Sequence, residues 1–359
     1  MSKIISVLLC CITILGCKNG DVKTVDKLQL KFLDEYVLAD DIVVDSTLVG
    51  GLSGIDYYNG LYYIVCDDAS DPRYYETTIT IKDTIISNVA ITKVIKIKDS
   101  SKYLDLETIR YESNANQVFI TSEGHINKQK PPLFFSVNSN GDIVNEFNIP
   151  SAFYPNSIEK PRHNATLEGL SKSYDEKGYW IAMELPLEID GQEPKLTPTN
   201  SPVRITYINT RTNKLEKQFG YLLDPIAKEP KDDFAVNGLS DILEYAKDQF
   251  FIIERSYSSG LGNQGNTIKI FNVDATKATN TLRIKSLKDK DYVPATKELL
   301  FDFESVRDKL TNNSIDNIEG ITFGPTLPNG NKTLLLVADN NFNKLEKQLN
   351  QFILLEIID

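Results

Sequence analysis

Residues 167–170 read Leu-Glu-Gly-Leu, and this pattern of an apolar residue, a polar residue, usually glycine, and a second apolar residue occurs five times in the chain. The other four copies are Leu52-Ser53-Gly54-Ile55, Leu106-Glu107-Thr108-Ile109, Val236-Asn237-Gly238-Leu239 and Ile318-Glu319-Gly320-Ile321. A short pattern that returns at spacings of about 50 to 80 residues is typical of repeat architectures.

Each copy is followed by a β-rich run that ends in an acidic residue, and each pair of segments therefore predicts a β-hairpin. The five runs are Leu61 to Asp68, Gln117 to Glu123, Tyr179 to Glu184, Phe250 to Glu254 and Leu334 to Asp339. Two further strand-like stretches follow each of the first four hairpins. Four strands per repeat predict an all-β fold, a β-propeller of four-stranded blades.

The repeat count predicts five blades, while six remains open because Thr281 to Phe303 contains more strand than one blade needs. The last repeat runs out of chain after its third strand, Gln351 to Ile357. The stretch from Lys27 to Leu38 alternates suitably and would supply the fourth. The ring would then close without a free strand edge. Helix is scarce, and Glu304 to Leu310 is the best short candidate.

The N-terminus resembles that of a bacterial lipoprotein. A basic start at Lys3 precedes an apolar run that is too short to span a bilayer as a permanent helix. Ile14-Leu15-Gly16-Cys17 resembles a lipobox, so we expect residues 1–16 to be a signal peptide, residues 17–26 a lipidated Cys17 with a tether, and residues 27–359 the propeller. The alternative is an ordinary signal peptide that is cut elsewhere.

This organisation predicts a protein of the cell envelope, lipid-anchored outside the cytoplasm and attached to the membrane through its N-terminal lipid only. Cleavage before Cys17 leaves Cys66 as the sole free thiol, so disulfides cannot hold the fold. The net charge is −11 with both signs interspersed, which argues against a nucleic-acid partner. We expect a monomer.

The repeated polar residues are expected to meet at one face of the propeller. In an antiparallel hairpin the start of the first strand lies beside the end of the second. The innermost strands would therefore gather Ser53, Glu107, Glu168, Asn237 and Glu319 with Asp67, Asp68, Glu123, Glu184, Glu254 and Asp339. So many carboxylates require a counter-charge. Arg73, Arg162 and Arg255 are candidates, and so is Ca²⁺, which prefers oxygen ligands.

A purely structural alternative remains for these residues, since a repeated polar side chain beside the axis can hydrogen-bond a neighbouring blade. Other chemistries are excluded by their motifs: the chain has no Gly-x-Ser-x-Gly elbow, P-loop, His-Glu-x-x-His or Cys-x-x-Cys. Its two histidines, His125 and His163, cannot form a three-imidazole zinc site. Both are interpreted as loop histidines near the polar face.

Several motifs in the same order resemble the phytase-like domain family, described as having esterase-like activity of phytase. The matching stretches are Gly51 to Ile55, Cys66-Asp67-Asp68, Pro72-Arg73-Tyr74, Asp105-Leu106-Glu107, Glu123-Gly124, Arg162 and Asn164 leading into Leu167 to Leu170, Glu254-Arg255, and Asn317 to Ile321 through Leu334 to Asn340. The resemblance covers about residues 45 to 357 and implies an envelope-associated β-propeller with a link to phosphate-ester hydrolysis. The chain departs from the family pattern at Thr108, His163 and Ala165.

The resulting hypothesis is a Ca²⁺-assisted hydrolase of a small anionic substrate such as a phosphoester. The residues expected to carry it are Glu168, Glu254 and Arg255 for catalysis, Arg73, Arg162, Asn164 and Asn237 for substrate binding, and Glu107, Glu319, Asp67, Asp68 and Asp339 for the cation. The alternative is a non-catalytic propeller that binds a glycan, peptide or partner protein through the same face.

Overall fold

The apolar runs of the sequence form β-strands in the computed structural model, which describes residues 28–99, 101–288, 291–343 and 347–358. The chain begins with β1 (Gln29–Leu38) and a small hairpin of β2 (Val43–Val44) and β3 (Thr47–Leu48). Five four-stranded antiparallel sheets then account for β1 and for all the strands after β3. The protein is therefore an all-β propeller of five blades, as the repeat count predicts.

The strands of the blades follow the chain from the axis outward, except in the last blade. Blade 1 contains β4 (Leu52–Tyr58), β5 (Leu61–Cys66), β6 (Arg73–Lys82) and β7 (Ile85–Lys96). Blade 2 contains β8 (Leu106–Glu112), β9 (Gln117–Ser122), β10 (Leu133–Asn138) and β11 (Ile143–Glu146). Blade 3 contains β12 (Leu167–Lys172), β13 (Gly178–Met183), β14 (Pro202–Asn209) and β15 (Lys214–Leu222).

Blade 4 contains β16 (Ala235–Ala246), β17 (Gln249–Ser258), β18 (Asn266–Asp274) and β19 (Thr296–Asp302), and blade 5 contains β20 (Asn317–Phe323), β21 (Thr333–Asp339), β22 (Asn350–Ile358) and β1. The innermost strands pack side by side around the axis, in the order β4, β8, β12, β16, β20 and back to β4. They carry the five repeats of the sequence. The polar residues of those repeats therefore lie next to the axis.

The first strand of the chain closes the ring. β1 pairs antiparallel with β22 along its whole length, from Gln29 opposite Ile358 to Leu38 opposite Asn350. This is the closure that the sequence predicts, and it leaves β22 with a partner on both sides. A paired outer strand removes an edge that would otherwise be open to other chains.

The segment between β18 and β19 explains why the sequence leaves a sixth blade open. Its described part, residues 275–288 and 291–295, contains no strand and covers the outer side of blade 3. The backbone N–H of Thr281, for example, donates to the carbonyl of Gln218 on β15 at 2.8 Å. Helix in the described residues is confined to short 3-10 segments, and the longest, Phe303–Lys309, lies where the sequence predicts one.

The hydrophobic core lies between neighbouring blades. Phe119 of blade 2 stacks on Tyr179 of blade 3 with ring centroids 4.5 Å apart, and Trp180 meets Phe250 of blade 4 edge to face at 5.3 Å. Cys66 is fully buried as a free thiol, and burial raises its pKa to about 12. Within the part of the chain that the structure describes, no helix is long and apolar enough to cross a membrane.

A β-bulge marks the repeated polar residue in four blades. The strand pairing shifts by one residue at Ser53, at Glu107-Thr108, at Glu168 and at Glu319. A bulge re-aims the side chain that it contains. The glycine that follows allows close contact between blades, because a Cβ atom on Gly54 would lie 2.6 Å from the carbonyl oxygen of Glu107.

Blade 4 departs from the repeat read in the sequence. Its inner bulge lies between Leu239 and Asp241, so the residues equivalent to Leu167-Glu168-Gly169-Leu170 are residues 239–242. The stretch Val236-Asn237-Gly238-Leu239 is therefore three residues too early. Asp241 occupies the position that holds glycine in three other blades, and Ser240 occupies the bulge.

Asp241 forms a buried ion pair with Arg110 across the axis. The guanidinium of Arg110 donates to both carboxylate oxygens of Asp241, at 3.1 and 2.9 Å, and both side chains are almost fully buried. The carboxylate of Asp241 also accepts from the backbone N–H groups of Leu170 and Ile321, while Arg110 donates to the carbonyl of Ile55. The pair thus joins all five blades and closes the axis at its centre.

Candidate functional site

The bulges and the strand ends of the blades surround one acidic cavity at the axis. In each blade, the first residue of the repeat on the innermost strand pairs with a residue of the second strand, and the residue after this partner lines the cavity. These residues are Asp67, Glu123, Glu184, Arg255 and Asp339. The cavity has a volume of about 400 Å³. Eight carboxyl groups and one guanidinium line it, from Asp67, Asp105, Glu107, Glu123, Glu168, Glu184, Glu319, Asp339 and Arg255.

Burial and mutual repulsion raise the pKa values of the carboxyl groups. For Glu107, burial is the main cause, followed by the neighbouring charges of Glu168 and Glu123. The pKa values of Glu168, Glu123 and Asp339 are raised well above the ordinary range in the same way, with burial again the largest cause. Burial and repulsion therefore favour the protonated forms of these acids unless a cation compensates their charge.

Arg255 is the one positively charged side chain among the described residues that line the cavity. Its Nη2 lies 3.7 Å from Glu184 and 3.6 Å from Glu319. Burial raises the pKa values of both acids to about 7, and Arg255 limits that rise. The Nε–H of Arg255 is buried and has no acceptor within the described ranges. The guanidinium thus retains donor capacity toward a ligand in the cavity.

Three acids of blade 2 form the best candidate cation site. One carboxylate oxygen from each of Asp105, Glu107 and Glu123 lies within 4.8 Å of the others. Glu107 also accepts a hydrogen bond from the Ser53 hydroxyl at 2.9 Å. Glu123 Oε2 is buried and has no hydrogen-bond partner in the part of the chain described. Carboxylate oxygens are the ligands that Ca²⁺ prefers, so these residues fit a hard cation.

Of the residues predicted for the site, seven line the cavity. These are Asp67, Glu107, Asn164, Glu168, Arg255, Glu319 and Asp339. Asp105 also lines it and was not predicted as a ligand from the sequence. The sequence signal that could have identified it is an acid directly before an innermost strand. The backbone carbonyl of Asp105 accepts from the N–H of Glu123, and this places the two acids beside each other.

The structure places Glu254 and Asn237 outside the cavity, contrary to expectation. Neighbouring residues of a strand point to opposite faces, so Glu254 points away from the cavity that Arg255 lines. Its carboxylate accepts from the Tyr221 hydroxyl, Lys297 and Asn237, at 2.6, 2.6 and 2.7 Å. Both residues therefore join strands of blades 3 and 4. The structure therefore does not bring Glu254 and Asn237 together with the predicted site residues that line the cavity.

Arg73 and Asp68 also lie outside the acidic cavity. Arg73 is buried, and its guanidinium donates to the Tyr75 hydroxyl at 2.9 Å and to the carbonyl of Asp71 at 2.7 Å. Asp68 lies 3.4 Å from Arg73 and accepts from the Ser70 hydroxyl. The two charges therefore hold the loop between β5 and β6 and do not line the acidic cavity.

Arg162 is likewise committed to local structure. It donates to the carbonyls of Pro186 and Gly191, and Nη1 lies 2.9 Å from Glu193. The arginine precedes the third repeat in the sequence, but the intervening residues separate it from the cavity. The nearby histidines stack on each other, with ring centroids of His125 and His163 4.1 Å apart. Burial and the charge of His125 lower the pKa of His163.

A family model described as phytase-like, with esterase-like activity of phytase, matches residues 47–342. The protein belongs to the phytase-like family. The match spans the five inner strands, and so it includes every carboxyl group of the acidic cavity. A comparison with curated proteins gives no match.

Solved structures match this phytase-like protein only at low similarity. The hydrazine synthase of Kuenenia stuttgartiensis is 10% identical with a TM-score of 0.37; the match covers 80% of this chain but only 64% of that one, less than two thirds. A thermostable family-43 glycoside hydrolase is 8% identical, with coverages of 86% and 89% and a TM-score of 0.46. A duf4221 family member from Bacteroides vulgatus is 11% identical, with coverages of 92% and 98% and a TM-score of 0.39.

Proposed function

We propose that this phytase-like protein hydrolyses a phosphate ester in the acidic cavity with the help of Ca²⁺. The observation that carries the proposal is the crowding of eight carboxyl groups around a single lining arginine. Carboxylates alone repel an anionic substrate. A bound divalent cation would reverse the local field and let the cavity accept a phosphoryl group.

Asp105, Glu107 and Glu123 are the residues that would hold the cation. Their oxygens lie close enough to share one ion, and the buried Glu123 Oε2 lacks another partner in the described residues. When bound, the ion would neutralise the phosphoryl oxygens and lower the pKa of water. Asp67 of blade 1 and Glu319 and Asp339 of blade 5 line the neighbouring part of the cavity, where their charges act on one another.

Arg255 would bind the phosphoryl group, and Glu168 would act as the general acid. A guanidinium suits phosphoryl oxygens because its N–H groups match their geometry. Arg255 would orient the phosphoryl group through its Nε–H and Nη groups. The pKa of Glu168 is raised, first by burial and then by the charge of Glu184, and this favours the protonated carboxyl group. Glu168 would thus donate a proton to the departing alcohol oxygen.

The first test is hydrolysis of phytate and of p-nitrophenyl phosphate, with Ca²⁺ and with a chelator. We expect turnover that the chelator abolishes, and losses of about 100-fold or more for Glu168→Gln and Arg255→Ala. The matched control is Glu188→Gln. This acid belongs to an exposed pair with Lys160 outside the cavity, so its removal should leave turnover unchanged.

Absence of turnover on both esters, with or without Ca²⁺, would contradict the hydrolase and favour the alternative of a binding propeller. Turnover that persists in the chelator would contradict the role of the cation. An equal loss in Glu188→Gln would show that the effect of Glu168→Gln is general and not specific to the cavity.

We further propose that Cys17, which lies outside the described residues, carries lipid and holds the protein to the cell envelope outside the cytoplasm. The lipobox-like Ile14 to Cys17 after a short apolar run supports this. In the bacterial host, Cys17→Ser should move the protein from the membrane fraction to the soluble fraction, and mass spectrometry should find diacylglycerol on Cys17 of the parent. An unmodified Cys17 would contradict the proposal.

A further inference from the structure

A second cavity lies at the other end of the inner strands. It has a volume of about 620 Å³ and is lined by the strand ends that point away from the acidic cavity, such as Asp56, Tyr111 and Tyr245. No residue that the structure describes lines both cavities, and Arg110 of the buried pair with Asp241 lines only the second one. The second cavity is therefore a separate site, and a ligand bound there does not depend on hydrolysis in the acidic cavity.

Aromatic side chains with polar edges dominate the walls of this cavity. Tyr57, Tyr58, Tyr111, Tyr174, Tyr245 and Phe323 line it. The ring of Tyr111 stacks on Tyr63 with centroids 4.4 Å apart, and Tyr245 stacks on Phe251 at 4.5 Å. Tyr63 and Phe251 thus support the rings of Tyr111 and Tyr245 on the side away from the cavity. Tyr58, whose ring also contacts that of Tyr111 with centroids 5.1 Å apart, is 46% exposed, and Tyr174 is 61% exposed, so both retain ring surface for a ligand.

The charged groups of the second cavity balance each other in number. Arg110, Lys172 and Lys332 face Asp56, Glu176 and Glu244. Most of these charges are already compensated. Arg110 pairs with Asp241, and Lys172 lies 3.0 Å from Glu112.

Two acids of this cavity, Asp56 and Glu244, accept hydrogen bonds from local donors. Asp56 accepts from the Tyr111 backbone N–H at 2.7 Å and from the Thr322 hydroxyl at 3.1 Å. Glu244 accepts from the Trp180 ring N–H at 3.0 Å and from two backbone N–H groups. A charged ligand of either sign would therefore gain little binding energy from these residues, and a neutral ligand fits the cavity best.

We propose that the tyrosine-lined cavity binds a neutral oligosaccharide. Flat tyrosine rings offer an apolar face to the C–H groups of a sugar ring, and their hydroxyl edges hydrogen-bond its hydroxyl groups. The hydroxyls of Ser113, Ser173 and Thr326 add further polar contacts. The volume falls within the range of about 300 to 1,000 Å³ typical of small-molecule sites.

The test is titration calorimetry of the folded protein with maltohexaose, cellohexaose, xylohexaose and mannohexaose. We expect at least one to bind, and we expect Tyr58→Ala and Tyr174→Ala each to weaken that binding about tenfold. Tyr58→Phe and Tyr174→Phe keep the ring and should retain most of the affinity. Excess phytate should not compete, because it would enter the other cavity.

Tyr154→Ala is the matched control, since Tyr154 is also surface-exposed, at 37%, and lies outside the cavity. It should bind the sugar as the parent does. The proposal is overturned if none of the four sugars binds at millimolar concentration. It is also overturned if the double variant Tyr58→Ala/Tyr174→Ala binds as tightly as Tyr154→Ala.

Discussion

Asp241 shows how one residue position can serve several blades at once. Its carboxylate accepts from Arg110 of blade 2 and from backbone N–H groups of Leu170 in blade 3 and Ile321 in blade 5. Two buried charges are costly to remove from water, and they are tolerated here because each is hydrogen-bonded on several sides. Either charge alone would be left without compensation at the centre of the fold.

We predict that Asp241→Asn lowers the free energy of unfolding by about 3 to 5 kcal/mol, because it leaves the Arg110 charge buried and unpaired. Urea denaturation followed by circular dichroism measures the change. Glu188→Gln, which breaks an exposed pair with Lys160, should change stability by at most about 1 kcal/mol. Equal effects of the two substitutions would refute the central role of the axial pair.

The position of Asp241 could not be predicted from the sequence, although the other inner residues could. The repeat is recognised by its glycine, and in blade 4 aspartate replaces it. The nearby stretch Val236 to Leu239 matches the pattern better and lies on the same strand, β16. An offset of an odd number of residues exchanges the two faces of a strand, and this explains why Asn237 was predicted for the cavity although it points to the other face. Glu254, which was predicted together with Arg255, accepts a hydrogen bond from Asn237 on that same face.

At the scale of single elements, β1 has the largest consequence for the fold. It is a strand from one end of the chain that completes a blade made by the other end. Leu30 and Leu38 of β1 are buried against the propeller. The sequence predicts this closure because the last repeat lacks a strand and the N-terminal stretch alternates between apolar and polar residues.

The loops were less predictable than the strands, since Arg73 and Arg162 form local hydrogen bonds and do not reach the acidic cavity.

Deleting residues 28–38 should destabilise the protein by about 3 kcal/mol or more, given about 1.5 to 3 kcal/mol for each buried leucine. It should also cause association, because the edge of β22 becomes exposed. Size-exclusion chromatography and thermal unfolding measure both effects. Deleting residues 18–27 instead keeps β1 and should change neither. A monomeric, equally stable protein without β1 would disprove the importance of the closure.

At the scale of the whole molecule, the acidic cavity couples stability to pH and to cations. The pKa values of Glu184 and Glu319 are raised to about 7 by burial, against ordinary values near 4.5. The folded state thus keeps protons that the unfolded state releases between about pH 4.5 and 7. The stability that these groups contribute is present below this window and is lost as pH rises through it.

In chelator, the melting temperature should therefore fall by a few degrees between about pH 5 and 7.5, and Glu319→Gln should reduce this slope because glutamine does not titrate. Ca²⁺ should raise the melting temperature most at the upper end, where the carboxylates are free of protons. Differential scanning calorimetry across pH measures both. A melting temperature that rises with pH in chelator would contradict the protonated cavity.

The direction of β1 has a consequence for how the protein is oriented. Leu38 lies on the face of the propeller that holds the acidic cavity and Gln29 on the face that holds the tyrosine-lined one, because β1 runs antiparallel to β22, which starts just after the Asp339 end of β21. With lipid on Cys17, the tether would join the propeller at the tyrosine-lined end. The mouth of the acidic cavity would then face away from the bilayer, and bulky substrates could reach it from the surrounding medium without passing between protein and membrane.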